Sequence, residues 1–517
     1  MTGNAQARVL IAGGGPVGLF AALVLAHHGI ASVVVEADAD VCDGSRAICI
    51  SRRSLQILDR VGAAAPFLAH GLHWRYGRSY LGSRQVFELT MPQSDGDRFP
   101  PFINLQQNRA EKFLRDACAR SGLVDVQWSS KIVRLDTSEH GLTAHVEGAA
   151  GVRHLSAEWL IAADGARSTI RDALGLRLEG NSYDSRYLIA DIEMQCDWPT
   201  ERKVWFDPAS NPGSTVIMHR QPENVWRIDY QLRPEQDSEA ELQDEQIRQR
   251  IATHLAFVGL NCDWRLLWKS LYQARTLSLR HYVHGRVIFA GDAAHLVPIF
   301  GVRGLNSGLD DAMNLAWKLA YVLKGITAAP LLASYDKERK DAYEDNIASA
   351  IKSTWFMSPP SEGFVLARDA VLELATRFPQ FRPLIDPRQS SAHRYRSAAI
   401  LENPDCALIG WPLPEVRLAD GRSIHEWLGP EFSTLSVADA SSEVSIRDRI
   451  ELGIGVRQIE LPGRLLPPSG LALRPGQIVV IRPDSYVAAC AVSGDDALRA
   501  IAMSIGVTET LGAFADA

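Results

Sequence analysis

The segment from Val9 to Glu36 constrains the fold more than any other part of the chain. A short apolar run, Val9-Leu-Ile-Ala12, stops at a glycine turn in which Gly13, Gly15 and Gly18 spell G-x-G-x-x-G. Leu19 to His28 reads as an Ala/Leu-rich helix ended by Gly29. Ser32-Val-Val-Val35 reads as a second strand, with Glu36 at its end, 18 residues after Gly18. Strand, glycine turn, helix, strand and terminal acid in this order form a β-α-β unit that binds a dinucleotide. Gly13 permits the tight turn, Gly15 lets a pyrophosphate approach the backbone, and Gly18 lets helix and strand pack closely. The helix N-terminus offers unpaired N–H groups and a positive dipole end to the phosphates. A carboxylate at Glu36 can accept hydrogen bonds from both ribose hydroxyls, which disfavours a 2′-phosphate. These residues leave NAD and FAD both open.

Two later stretches bear on that choice. Trp159-Leu-Ile-Ala-Ala-Asp-Gly-Ala-Arg-Ser-Thr-Ile-Arg171 predicts a strand ending at Asp164-Gly165, with Ser168 opening the next helix. It reads equally as a capped junction or as a second ligand-facing loop. The other stretch, Gly291 to Gly308 (GDAAHLVPIFGVRGLNSG), follows the apolar run Val287–Ala290. Asp292 thus falls at the carboxyl end of a strand, where open α/β sheets place ligands. Leu305, Leu309, Ala312, Ala316, Leu319 and Leu323 then recur with a helical period that stops at Gly325. An electron-rich ring edge at the Gly301–Gly304 loop would meet backbone N–H donors and a positive dipole end. The N1–C2=O2 region of a reduced isoalloxazine is such an edge. The loop is therefore expected to cradle a flavin, with Asp292 on the sugar-like chain and Gly304 kept small, with an unusual φ, by the backbone's approach to the ring.

The chain has 517 residues, enough for two or three domains, and its net charge of −7 gives no sign of a nucleic-acid partner. Seven cysteines, Cys42, Cys49, Cys118, Cys196, Cys262, Cys406 and Cys490, are scattered without a C-x-x-C. They predict neither a disulfide framework nor a zinc site, and no metal is expected. Arg8 before an apolar run superficially imitates a signal peptide, but Gly13–Pro16 and His27-His28-Gly29 interrupt it. No stretch reaches the ~18 uninterrupted apolar residues of a spanning helix. A cytoplasmic protein with no membrane segment is expected.

Taken together, the G-x-G-x-x-G at 13–18, the D-G-x-x-S-x-x-R at 164–171 and the G-D-A-A-H at 291–295 resemble the three fingerprints of the single-component FAD-dependent aromatic hydroxylases, the family of para-hydroxybenzoate hydroxylase. Leu332-Ala-Ser-Tyr-Asp-Lys-Glu-Arg339 is similar to that family's L-x-S-Y-x-x-E-R helix, so the likeness spans about residues 8–345. The resemblance implies an α/β protein: a Rossmann-type FAD-binding domain (1–180 and 286–345), an inserted β-rich substrate domain (181–285), a helical connection (346–400) and a thioredoxin-like C-terminal α/β domain (401–517). It also implies that Glu36 binds the adenosine ribose, Arg46 lines the FAD site and Gln107 reaches the flavin side chain. Asp292 is implied to bind the ribityl chain, and Leu305 and Asn306 to offer backbone groups to the ring. Asp164 is implied to lie between FAD and the route of NADH or NADPH, and Pro298 beside the flavin carbon that takes up O2. The family often has a second proline where this chain has Ile299, and Gln or Lys where it has Arg303. Arg303 is therefore read either as a binder of a substrate anion or as a loop-stabilising residue. His295, inside the third fingerprint, is a candidate base or a structural histidine.

Alternating strands at Lys203–Phe206, Ser214–Met218 and Val225–Tyr230 predict a sheet over the flavin, with Met218, Arg220, Trp226 and Tyr230 as candidates to line a substrate roof. On any strand half the side chains face the other way. From about residue 400 prolines, among them Pro404, Pro412, Pro467 and Pro468, punctuate short segments. Residues 473–488 predict two strands before a final helix at Asp495–Ile505. Without a C-x-x-C this tail is expected to serve packing or homodimer contact. The implied activity is hydroxylation of a phenolic aromatic substrate with NAD(P)H and O2 through a flavin hydroperoxide. Baeyer–Villiger insertion or epoxidation on the same scaffold, or a non-catalytic FAD-binding protein, stay open at this stage.

Overall fold

The computed structural model describes residues 7–507 apart from 386–388, 390, 398, 402, 404, 440, 467–470, 472, 474 and 475. Pro404, Pro467 and Pro468, and the outer ends of the first and last expected domains, therefore lie outside the described residues.

Ala7–Ala12 forms the centre of the first sheet, parallel to Ser32–Val35 on one side and to Gly151–Ala162 on the other. Val124–Gln127 extends the sheet beyond the former and Val287–Phe289 beyond the latter, both parallel. Lys131–Thr137 and Leu142–Gly148 are added antiparallel at the outer half of Gly151–Ala162. Parallel strands are buried on both faces and so are continuously apolar; Val9, Leu10, Ile11, Leu160 and Ile161 are all fully buried. Helix Pro16–His27 packs against helices Gly304–Leu323 and Gln107–Ser121. Its crossing with Gly304–Leu323 is close because residue 308 is glycine: a Cβ there would lie 2.6 Å from Val17 Cγ2. Gly13, Glu36, Asp164 and Asp292 each follow the carboxyl end of a strand of this one sheet, so fingerprints far apart in sequence open on one crevice.

The second sheet has eight strands in the order His295–Leu296, Trp264–Ser278, Glu179–Met194, Val225–Leu232, Thr215–Arg220, Arg202–Phe206, Tyr76–Leu81 and Arg84–Thr90. The last two differ from the expected domain division, since they come from the segment read as the first half of the FAD-binding domain. Tyr76–Leu81 pairs parallel with Arg202–Phe206, and every other pair is antiparallel. One face of this sheet is apolar and carries helix Asp244–Phe257, whose Ile247, Ile251 and Leu255 pack on Met218, Trp226 and Tyr230. The other face turns towards the crevice.

The expected boundary at 345 falls inside a single helix, Leu331–Met357, followed by Glu362–Arg377. The tail builds a mixed five-stranded sheet ordered Ser445–Glu451, Ile454–Pro462, Phe432–Ala438, Ile478–Ile481 and Val487–Ala491, followed by helix Gly494–Ser504. Cys406 and Cys490, 84 residues apart, form a disulfide there, while the other five cysteines are free. No disulfide framework was expected from the scattered spacing, and this single bridge joins cysteines that meet only once the tail has folded, which spacing along the chain does not reveal.

The tail shares a core with the cofactor domain, with Trp317 and Tyr321 packed among Phe432, Leu435 and Val480. Buried charges join the same parts. Glu338 accepts from Lys318 Nζ at 2.8 Å and from Arg482 Nη1 at 2.7 Å. Arg482 also pairs with Asp484 at 2.5 Å, and Trp317 Nε1 donates to Asp484 Oδ2 at 3.2 Å. Among the described residues no helix is long and apolar enough to cross a membrane.

Candidate active site

A cavity of about 1130 Å³ runs from the carboxyl ends of the parallel sheet to the polar face of the second sheet. At the first end its walls are Gly13–Gly15, Glu36, Arg46, Gln107, Asp164 and Asp292. Gly13 has φ +103° and a Cβ there would lie 2.4 Å from Ala163 O; a Cβ on Gly18 would lie 2.0 Å from Gly13 O. Both glycines are thus demanded by the fold. Gly15 differs, because a Cβ added there meets nothing within 4 Å and would project into the cavity. The first bond of the Pro16–His27 helix runs from Leu19 N to Gly15 O at 3.0 Å, leaving earlier N–H groups for a ligand.

Glu36 Oε2 accepts from Gly14 N at 2.6 Å and Oε1 from Asp38 N at 2.9 Å, which fixes the carboxylate at the cavity wall. Gln107 Oε1 accepts from Ala47 N at 3.0 Å and its Nε2 donates to Glu111 at 2.8 Å. Asp164 Oδ2 accepts from Thr169 Oγ1 and Ile170 N, both at 3.1 Å, while its buried Oδ1 has no partner among the described residues. The Asp292 carboxylate is exposed to the cavity. Burial raises its pKa, with Asp311 acting the same way against His295 and Arg46.

The fingerprint arginines bind the motifs to one another, a role that sequence reasoning missed. Arg171 donates to Ala166 O at 2.8 Å and to Ala293 O at 3.2 Å, tying the second motif to the third. Arg339 Nε donates to Asp311 Oδ1 at 2.5 Å, and Asp311 Oδ2 accepts from Gly291 N at 2.9 Å. Burial opposes ionisation of Asp311, but His295 and Arg339 more than offset it and hold its carboxyl well below the usual range.

Several expectations for the Gly291–Gly308 loop are corrected. His295 does not reach the cavity; it is buried, 2.7 Å from Asp311, between the rings of Tyr282 and Tyr343. It fits the structural alternative. Pro298 is buried and forms no part of the cavity wall, whereas Val297 and Ile299 do. Arg303 lines the cavity but is 2% exposed and donates to Asn346 Oδ1 at 2.9 Å, which fits a loop-stabilising residue. Gly304 has no left-handed φ; that conformation falls on Gly301 (φ 90°) and Val302 (φ 53°). Gly304 instead begins the helix with open cavity where a Cβ would stand. The first intrahelical bond, Ser307 N to Arg303 O at 2.8 Å, leaves the N–H groups of Gly304, Leu305 and Asn306 ahead of it. The Asn306 side chain is taken up by the protein, accepting from Ser51 N at 2.9 Å and donating to Cys49 O at 3.1 Å.

At the far end the roof is formed by the strand positions opposite to those expected. Met218, Trp226 and Tyr230 belong to the apolar core against helix Asp244–Phe257. Arg220 lies on the same side, with Nη1 donating to Trp198 O at 2.6 Å and its guanidinium over Trp226. The cavity is lined instead by Arg202, Ile217, His219, Arg227 and Asp229, together with Ile189, Tyr272 and Phe300. Arg202, His219, Arg227 and Asp191 are successive cross-strand neighbours in one polar row. Arg227 pairs with Asp191 at 3.1 Å and donates to Arg46 O at 2.7 Å, so it braces the Arg46 segment at the first end. Burial, reinforced by Arg202 and Arg227, keeps His219 neutral, and its Nδ1 has no partner among the described residues. Asp229 is 6% exposed and its Oδ1 is likewise unpartnered. Burial pushes its pKa up to about 6, against Arg227 and Arg202 and with Asp191.

A glycine cradle open to a pyrophosphate, an acid placed for a ribose, two helix N-termini and a cavity continuous with a polar roof fit FAD. The chain matches the FAD binding domain family over residues 6–350. It is 28% identical to the 3-(3-hydroxy-phenyl)propionate/3-hydroxycinnamic acid hydroxylase of Escherichia coli O157:H7 (strain EC4115 / EHEC), covering 95% of this chain and 92% of the relative. Its fold is shared with the flavin-dependent monooxygenase PieE, solved with FAD and substrate (TM-score 0.79, 21% identity, 98% and 100% of the two chains). It is shared equally with aklavinone-11 hydroxylase, solved with FAD and aklavinone (TM-score 0.78, 21% identity, 98% and 99%). The chain belongs to the FAD binding domain family and is an FAD-dependent monooxygenase of the aromatic-hydroxylase type.

Glu36→Ala is expected to weaken FAD retention by about 1.5–3 kcal/mol, the worth of hydrogen bonds to a charged acceptor. Equilibrium dialysis of released FAD measures it, and an unchanged dissociation constant would remove Glu36 from the ribose site.

Proposed function

We propose that the enzyme hydroxylates a phenolic ring held under the polar row of the second sheet, with Asp229 as the proton acceptor for the ring hydroxyl. The observation that carries this reading is the Asp229 carboxylate: buried, without a hydrogen-bond partner among the described residues, and facing the cavity that also holds the flavin end. Phenols are also what the name of the Escherichia coli relative specifies. When bound, FAD would supply the redox chemistry, with electrons from NADH or NADPH, for transfer of one oxygen atom of O2 to the ring. Glu36, Arg46, Gln107, Asp164, Asp292, Leu305 and Asn306 would hold it.

The protein's part is positioning, water exclusion and proton handling. Ionised Asp229 takes the phenol proton and so makes the ring more nucleophilic. Neutral His219, one strand away, has Nδ1 free to hydrogen-bond the same hydroxyl. Ile189, Ile217 and Phe300 give the apolar walls that keep water from the ring. Tyr272 accepts from Ile299 N through its hydroxyl at 3.0 Å, tying the roof to the Gly291–Gly308 loop.

The sign of the pH dependence follows from Asp229. Its carboxyl is protonated and inert as a base below its raised pKa of about 6, and active above it. Product formation (kcat/KM) should therefore rise with pH through about 6 and then level. Asp229→Asn should abolish that limb and lower product formation by about 10²–10⁴-fold, the usual worth of a positioned base, with FAD content unchanged. The same acidic limb in Asp229→Asn would exclude this residue as the acceptor.

A further inference from the structure

The five free cysteines differ in their surroundings. Cys42 and Cys49 line the main cavity, and Cys118 is enclosed in the core of the cofactor domain. Burial pushes each of these three thiols up to about 12, which keeps them protonated and poorly reactive. Cys196 and Cys262 stand apart from them. Both are half-buried, and both pack against the apolar cluster of the second sheet, on the face away from the cavity.

The strand register brings the two together. Glu179–Met194 and Trp264–Ser278 run antiparallel, and Met194 and Trp264 are the last partners of their ladder. Cys196 lies two residues after Met194, and Cys262 two residues before Trp264. The alternation of side chains continues past the ladder: Gln195, Asp197, Asn261 and Asp263 are exposed, whereas Cys196, Trp198, Cys262 and Trp264 are half-buried. The two cysteines thus hold opposed positions on one face. Opposed residues of an antiparallel pair have Cα atoms ~4.5–5.5 Å apart, within the ~4.4–6.8 Å that a disulfide spans. The nearness of the sulfur atoms shows independently in the Cys262 thiol, whose pKa is raised by burial and then by Cys196 and Asp263.

We propose that Cys196 and Cys262 are a peroxide-modified pair that closes to a reversible disulfide, a staple across the open end of the second sheet. The oxidant is hydrogen peroxide, which an oxygenase releases whenever it reduces O2 without transferring an oxygen atom. One thiolate attacks the peroxide, the O–O bond breaks, and a sulfenic acid and hydroxide form. The second thiol attacks that sulfur, the S–S bond forms, and the oxygen leaves as water. Two thiols and one peroxide give one disulfide and two waters. The bond ties the connection that enters Arg202–Phe206 to the connection that leaves helix Asp244–Phe257. Neither cysteine belongs to the cavity wall, so the staple holds sheet and helix together without entering the site.

The probe is hydrogen peroxide in molar excess over the full-length, FAD-loaded enzyme, followed by alkylation of remaining thiols and peptide mass spectrometry without reductant. A linked pair of peptides carrying Cys196 and Cys262 is expected, lighter by about 2 Da than the two reduced peptides together. Dithiothreitol should separate them. Treated enzyme should also be cleaved by thermolysin in urea at least ~10-fold more slowly than untreated enzyme, since the closed loop restricts the unfolded chain. Cys196→Ser should keep FAD content and turnover yet lose both the linked pair and the protection. Recovery of Cys196 and Cys262 as alkylated thiols, as unlinked sulfinic or sulfonic acids, or joined to other cysteines would overturn the proposal. Linked enzyme cleaved at the untreated rate would overturn the staple.

Discussion

Gly15→Val should yield a folded, colourless protein. Gly15 has φ −72° and ψ −179°, an extended conformation open to any residue, and a Cβ there touches nothing within 4 Å. The fold does not need glycine at this position; the ligand does, because the pyrophosphate must come against the backbone. A valine side chain fills that approach, and by the scale of overpacking, ~1–3 kcal/mol or more, FAD retention should fall by up to two orders of magnitude. Gly13→Ala makes the contrast, since its Cβ would collide with Ala163 O and its φ of +103° is unfavourable to alanine. That variant should lose secondary structure or solubility as well as flavin. Flavin absorbance per chain and circular dichroism on both variants decide the matter. A yellow Gly15→Val protein with normal FAD affinity would contradict the placement of the pyrophosphate.

Arg482→Met should loosen the tail from the cofactor domain. The substitution strands Glu338 and Asp484 in a fully buried setting with Lys318 as the remaining cation on Glu338. Breaking one partner of a buried pair typically costs about 3–5 kcal/mol, and here the cost falls on a contact between residues distant in sequence. Burial works against ionisation of Glu338, but Arg482 and Lys318 hold its carboxyl far below the usual 4.5. That stabilisation is complete above the ordinary carboxylate pKa and is lost as pH falls through the depressed one. Faster proteolysis of the tail and a lower urea midpoint at pH 7, with the difference narrowing in acid, are expected. Equal midpoints at pH 7 would mean the cluster contributes nothing to docking.

The cofactor end was legible in sequence because its requirements are local. Gly13 and Gly18 are fixed by close backbone contacts within one β-α-β unit, and Glu36 by the end of one strand. The substrate end was misread by one residue of parity. In Val225-Trp-Arg-Ile-Asp-Tyr-Gln-Leu232 the bulky residues Trp226 and Tyr230 invited placement at an aromatic substrate, yet with Ile228 they form the apolar face that covers a helix. The cavity face is the alternate set containing Arg227 and Asp229. Polar residues inside a buried strand were the usable signal, since they persist only where a ligand, a partner or a cavity receives them. His295 was ambiguous for a related reason. A histidine beside a ligand and one clamped by a distant carboxylate look alike until Asp311, 16 residues on, is known to face it. The contribution of Tyr76–Leu81 to the second sheet was invisible because parallel pairing between distant segments leaves no mark in either.

That pairing has a consequence for the order of assembly. As the chain emerges during synthesis, Tyr76–Thr90 appears long before its sheet partner Arg202–Phe206, and the first sheet in turn waits for Val287–Phe289, the last of its parallel strands in the chain. Neither sheet can close early, so contact order is high and closure entropy must be met before the pairings repay it. Nascent chains ending between about residues 100 and 200 should therefore expose unpaired strand edges from both sheets at once. Such intermediates would recruit holdase chaperones in translation, and the two halves of the protein would mature together.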